Sequence, residues 1–87
     1  MKYKGTVVVT LKEGIFDPQG AAVRGSLLAM GYPQVVDVRM GKNIVLYLDV
    51  PSKEEALSLL DEMARRLLAN PVTETYMVSV EEWCSRP

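Results

Sequence analysis

Apolar and polar residues alternate from Tyr3 to Leu11, with Tyr3, Val7, Val9 and Leu11 on one side and Lys4, Thr6, Val8 and Thr10 on the other. A period of two is that of a half-buried β-strand. The alternation stops, the chain turns through Gly14, and Asp17, Pro18 and Gln19 read as a helix start. The Asp17 carboxylate would accept from the first free amides, and Pro18 fits the first helical position, where its missing N–H is not needed. The spacing predicts a helix from Pro18 to about Met30, with Val23, Leu27 and Met30 at i, i+4 and i+7 and Ala22 and Leu28 widening the stripe. Gly31 is placed to end it in a left-handed cap.

Val35–Met40 and Asn43–Val50 form two more strand patterns, and Gly41 and Lys42 between them predict a tight reversal and a hairpin. In the second arm Ile44, Leu46, Leu48 and Val50 point one way and Val45, Tyr47 and Asp49 the other. Ser52 and Glu55 have the spacing of a capping box. Ala56, Leu59, Leu60, Met63, Ala64, Leu67 and Leu68 then repeat at i, i+3 and i+4, which predicts a helix of three turns. Asn70 and Pro71 stop it. Val72, Glu74, Tyr76, Val78 and Val80 alternate with Thr73, Thr75, Met77 and Ser79 in a last strand.

The predicted order is βαββαβ, an α+β fold of the split βαβ, ferredoxin-like kind: a four-stranded antiparallel sheet with both helices on one face. One domain is expected over residues 1–82, followed by a patternless tail over 83–87. The uncovered sheet face or its edges would offer Tyr3, Tyr47, Tyr76 and Met77 to another chain. Eighty-seven residues bury a thin core, so self-association is expected.

Composition narrows the function by exclusion. Apolar residues make up 48% and charged residues 24% of the chain, which is ordinary globular usage. Ten basic residues against eleven acidic ones leave no footprint for nucleic acid. The apolar runs are too short to cross a bilayer, and the first ten residues read as a strand and not as a secretion signal, so a cytoplasmic protein without membrane contact is expected. There is no histidine and one cysteine, Cys84. A Cys–His or Ser–His pair is therefore impossible within the chain, as are a disulfide within it and a multi-cysteine zinc site.

The residues that invite a chemical reading each have a structural one. Lys42 after Gly41 would suggest a phosphate loop, but Val36 and Asn43 stand where that motif needs Gly and Ser or Thr. Asp17, Pro18 and Gln19 are sufficient as a helix start. Gly20 and Gly25 inside that helix each cost about 0.5–1 kcal/mol against Ala, which points to close backbone approach. For Gly25 that approach is to the domain's own sheet; for Gly20 it is to the sheet or to a partner. Arg39 is either an exposed charge near Asp37 or a fork for a carboxylate or phosphate. Met30, Met40, Met63 and Met77 fill core gaps on this reading, and nothing activates Cys84 as a nucleophile.

Three blocks carry a family resemblance: TLKEGIFDPQGAAV at 10–23, DVRMGK at 37–42 and LLANPVTETYMV at 67–78. In their order and spacing the chain resembles PurS, the small non-catalytic subunit of phosphoribosylformylglycinamidine (FGAM) synthase, from Tyr3 to about Glu82. Lys12, Asp17, Pro18, Gln19 and Gly20 match the first block, Arg39, Gly41 and Lys42 the second, and Asn70 the third. The resemblance implies fold or interface roles for them and catalysis for none. It implies a subunit of an ATP-consuming C–N ligase of purine biosynthesis, bridging a PurQ-like glutaminase and a PurL-like synthetase and helping ammonia transfer. It also implies a homodimer or dimer of dimers, with no cofactor on this chain and ATP and Mg on the synthetase. Trp83 to Pro87 depart from the pattern. A ferredoxin-like module that binds a small effector is the alternative of the same architecture.

Overall fold

The first alternating segment becomes the central strand. The computed structural model describes residues 1–84. In it β1 (Lys2–Leu11) lies between β2 (Gly41–Asp49) and β3 (Glu74–Glu82), antiparallel to both. The register sets Val7 opposite Ile44 on one side and Val78 on the other, and Gly5 opposite Leu46 and Val80. Alternation then gathers Tyr3, Gly5, Val7 and Val9 on one face with Ile44, Leu46, Leu48, Tyr76, Val78 and Val80.

Helix α2 (Lys53–Met63) covers that face, packing on β1 and β3. Ala56, Leu60 and Ala64, four residues apart, are fully buried, and Leu60 and Ala64 form the core with Val7, Val9 and Ala69. The Ser52 hydroxyl oxygen caps α2 by accepting from the Glu55 amide at 3.2 Å. The expected single helix instead changes pitch near its end: Ala64–Leu68 is one π turn.

The expected four-stranded sheet is overturned: among the described residues there are three strands, in the order β2-β1-β3. Val35–Met40 is not a strand, and Gly41 and Lys42 are not a hairpin turn; they are the first residues of β2, opposite Thr10 and Val9. Side chains occupy several of the backbone groups that a ladder would need. Arg24 donates to the Val36 carbonyl oxygen, the Val38 amide to Asp37 and the Met40 amide to Asp17. Alternation marks an extended segment without saying whether it has a partner.

The second correction concerns α1 (Pro18–Ala29), which does not join α2 on the sheet. It buries only Gly20, leaving Val23, Leu27 and Leu28 half-buried and Met30 exposed. Gly31, at φ 98°, ends it in the left-handed region as expected. A Cβ at Gly25 would meet nothing within 4 Å among the described residues, so the expected approach to the sheet is not made. With residues 12–40 standing away from the sheet, the molecule measures 50 × 33 × 16 Å. Its radius of gyration is 16.7 Å, against about 12 Å for a compact chain of this length.

The aromatic and methionine placements divide. Tyr3 and Tyr76 lie on the covered face, while Tyr47 and Met77 are exposed on the other, where Trp83 meets Tyr47 in a tilted contact with ring centroids 4.5 Å apart. Met63 packs against the core, but Met30, Met40 and Met77 are exposed. Among the described residues no helix is long and apolar enough to cross a membrane. Of the expected tail, Ser85, Arg86 and Pro87 lie outside the described residues.

Candidate functional site

The residues singled out in the sequence converge at one end of the sheet, where β1 ends and β2 begins. Asp17 is the centre. It caps α1 as its position before Pro18 predicts: Oδ1 accepts from the Gly20 amide at 2.8 Å. Its other oxygen, Oδ2, accepts from the Met40 amide at 2.7 Å, so one carboxylate holds two segments 23 residues apart. The Gly20 amide first, then the Met40 amide and more weakly the Arg39 charge, hold the carboxyl below its ordinary 3.8 against the opposing effect of burial. Both oxygens are engaged, and Asp17 is 5% exposed.

Gly20 sits where α1 meets the returning chain. A Cβ there would run into the Val38 carbonyl oxygen. The close approach that a glycine within a helix suggested is therefore to the domain's own segment 36–40. Arg39 answers Asp17 from the other side: its Nη2 donates to the Ile15 carbonyl oxygen at 2.8 Å and to that of Lys12 at 3.2 Å. Arg39 is exposed, as one reading from sequence expected, and its Nη2 meets carbonyl oxygens in place of the carboxylate or phosphate of the other. The guanidinium braces the turn that follows β1.

Lys12 and Asn70 serve the turn into β3. The Lys12 amide donates to the Thr73 carbonyl oxygen at 2.8 Å and its Nζ to that of Pro71 at 2.9 Å. Asn70 Oδ1 accepts from the Val72 amide at 3.0 Å, the local turn that an Asn side chain favours. Lys42 and Glu74 flank β1 on the α2 side of the sheet, with Nζ 3.9 Å from Oε2, and Glu74 Oε1 accepts from the Asn70 amide at 2.7 Å. Pro18, Gln19 and Gly41 line, with Val9, Lys42 and Glu74, an open cleft of about 290 Å³.

Sequence reasoning missed Glu74 and the Tyr76–Asp61 pair. Glu74 was read only as a strand position, and its pairing with Lys42 follows from the β2-β1-β3 register. The Tyr76 hydroxyl donates to Asp61 Oδ1 at 2.7 Å, and Arg65 Nε to Oδ2 at 3.2 Å. Tyr76 and then Arg65 hold the Asp61 carboxyl below 3.8, while the bond to Asp61, together with burial, raises the Tyr76 hydroxyl above 10.0. The arrangement pins α2 to β3. Cys84 is exposed.

What the convergent side chains do chemically is hold backbone. Asp17, Arg39, Lys12 and Asn70 all direct their polar atoms at main-chain groups. Lys42 and Glu74 pair across β1, which makes this end of the sheet a junction.

Residues 4–82 match the family model described as "PurS: Phosphoribosylformylglycinamidine (FGAM) synthase". The subunit PurS of phosphoribosylformylglycinamidine synthase from Bacillus subtilis is 45% identical over 80 residues, covering 92% of this chain and 94% of that protein. The structure of PurS from Thermus thermophilus aligns with a TM-score of 0.88 at 39% identity, over 97% of this chain and all of the other. A chain of the PurLQS structure from Thermotoga maritima aligns with a TM-score of 0.85 at 28% identity, over 93% of this chain and 99% of that one. The chain belongs to the PurS family of phosphoribosylformylglycinamidine synthase subunits.

Proposed function

We propose that this chain acts in purine biosynthesis as the non-catalytic subunit that bridges a PurQ-like glutaminase and a PurL-like, ATP-dependent synthetase. It assists the transfer of ammonia as formylglycinamide ribonucleotide (FGAR) is converted to formylglycinamidine ribonucleotide (FGAM). The observation that carries the reading is the near-complete structural match to a chain of a complex named for all three subunits. The junction chemistry agrees with it, because side chains of catalytic type are spent on positioning backbone. ATP and Mg belong on this account to the synthetase, and the site of action is the cytoplasm.

The chain works as a homodimer or dimer of dimers. Its accessible surface is 6333 Å², about 1,200 Å² more than the roughly 5,100 Å² expected of a folded monomer of this mass. That surplus exceeds the roughly 800 Å² per partner of a standard interface. Phe16, Met30, Tyr32 and Val36 are exposed on the segment that stands off the sheet, Val36 by 84%. A second copy covering this segment returns the surface to ordinary proportions.

The rival reading, an effector-binding module, is disfavoured by the cleft. It is open, and the charges on its rim, Lys42 and Glu74, already face each other. The test is co-migration of the cognate glutaminase and synthetase in gel filtration with and without this chain. The proposal expects one joint peak only when the chain is present. A joint peak of equal yield without it overturns the bridging role.

A further inference from the structure

We propose that Asp17 and Arg39 are positioning residues that form a clamp, fixing the angle at which α1 and the segment that follows it stand off the sheet. The inference rests on the bridging role above, in which the outstanding segment meets other chains. The β1–β2 ladder ends at Thr10 opposite Gly41, and the chain between them leaves the sheet and returns. Little apolar packing ties α1 to the sheet: within the helix Gly20 is buried and Val23, Leu27 and Leu28 are only half-buried, and among the described residues α2 is the helix that packs substantially on the sheet. A segment with so little apolar packing on the sheet belongs to the low-stability end of a structure unless something else holds it.

Arg24 of α1 donates to the Val36 carbonyl oxygen within the segment, and where the segment leaves and rejoins the sheet two further side chains hold it, working in opposite directions. From the outgoing leg, Asp17 reaches the returning leg at the Met40 amide, 2.7 Å, while also capping α1 at Gly20. From the returning leg, Arg39 reaches back to the carbonyl oxygens of Lys12 and Ile15. At Gly20 the two legs come so close that a Cβ would meet the Val38 carbonyl oxygen. Hydrogen bonds to a charged group are stronger and more directional than neutral ones, and all four here end on backbone. Backbone targets on both legs define an angle, which an apolar contact of similar size would leave loose.

These residues are separate from those that stabilise the domain, since the core of Val7, Val9, Leu60, Ala64 and Ala69 lies under α2. The experiment uses Asp17→Ala and Arg39→Ala in the full chain, with Asp17→Asn and Arg39→Lys as conservative variants. Two properties are read: hydrogen-exchange protection of the chain, and product formation by the reconstituted complex driven by glutamine or by added ammonia. Both alanine variants are expected to keep β1 and β3 protection and to lose protection at Ala21–Leu28 at least tenfold. Glutamine-driven synthesis falls at least fivefold while ammonia-driven synthesis stays within twofold. Asn keeps one acceptor and Lys one donor, so each recovers part of the loss.

Unchanged protection at Ala21–Leu28 overturns the clamp. So does a parallel loss in β1 and β3, which would make these residues mere supports of the fold. Glutamine-driven synthesis unchanged from wild type overturns the positioning role. If the wild-type chain itself leaves glutamine-driven synthesis unaltered, the bridging reading fails instead, and the exchange pattern still decides the clamp.

Discussion

The Ala69 amide donates to the Ala64 carbonyl oxygen, five residues back, at 2.9 Å. Continued α-helix would place Leu67 and Leu68, three and four residues beyond the fully buried Ala64, on the core face. The wider π turn keeps Leu68 half-buried against the core, brings in Ala69, which is 7% exposed, and turns Leu67 out to 83%. The expected consequence is a sharp contrast between two leucines of one helical run. Leu67→Ser should change stability by no more than about 0.5 kcal/mol, whereas Leu60→Ala should cost about 2–5 kcal/mol. Urea unfolding of both variants checks this, and a loss of several kcal/mol at Leu67 would show that the π turn does not persist.

Gly5 in the middle of β1 is there because Leu60 lies directly over it. A Cβ at Gly5 would collide with the Leu60 δ-carbons, and Leu60 is fully buried with little room to turn aside. Gly5→Ala should cost about 1–3 kcal/mol by overpacking. In a Leu60→Ala background the same change should cost less, because the space has opened. A double-mutant cycle measures the coupling, and strict additivity would contradict the contact.

Among the described residues two carboxyls titrate lower in the folded chain than in the unfolded one: Asp17, held by the Gly20 and Met40 amides, and Asp61, held by Tyr76 and Arg65. Below their ordinary 3.8 the unfolded chain binds the more protons, so the stabilisation is complete above about pH 5 and is lost as pH falls through the folded values. Acid unfolding should therefore steepen below about pH 4. Tyr76→Phe should move the Asp61 carboxyl back towards its ordinary value and leave Asp17 in place. Carboxyl-carbon NMR titration reads both, and an unmoved Asp61 would exclude the Tyr76 hydroxyl as the cause.

Much of this fold is legible as periodicity. The alternation from Tyr3 to Leu11 is the central strand, the Asp17-Pro18 start and the Gly31 cap bound α1, and Ala56, Leu60 and Ala64 mark the core face of α2. Three things were hidden. Val35–Met40 alternates like a strand, but only the sheet shows that this segment has no place in it. Leu67 fits the helical stripe, and the π turn that expels it leaves no periodic signature. At the junction the cap at Asp17 was visible because it is local, while its second oxygen bonds Met40 at a distance in sequence that no short pattern encodes. The bracing role of Arg39 was hidden for the same reason, since its targets, Lys12 and Ile15, lie 27 and 24 residues back in the chain.

The central claim is that this chain couples a glutaminase to a synthetase without chemistry of its own. The most direct measurement is the initial rate of FGAM formation by the two cognate partners, with and without the chain, first with glutamine and then with ammonia as nitrogen source. The account predicts that adding the chain raises the glutamine-driven rate at least tenfold and the ammonia-driven rate by less than twofold. Equal glutamine-driven rates with and without the chain would contradict it.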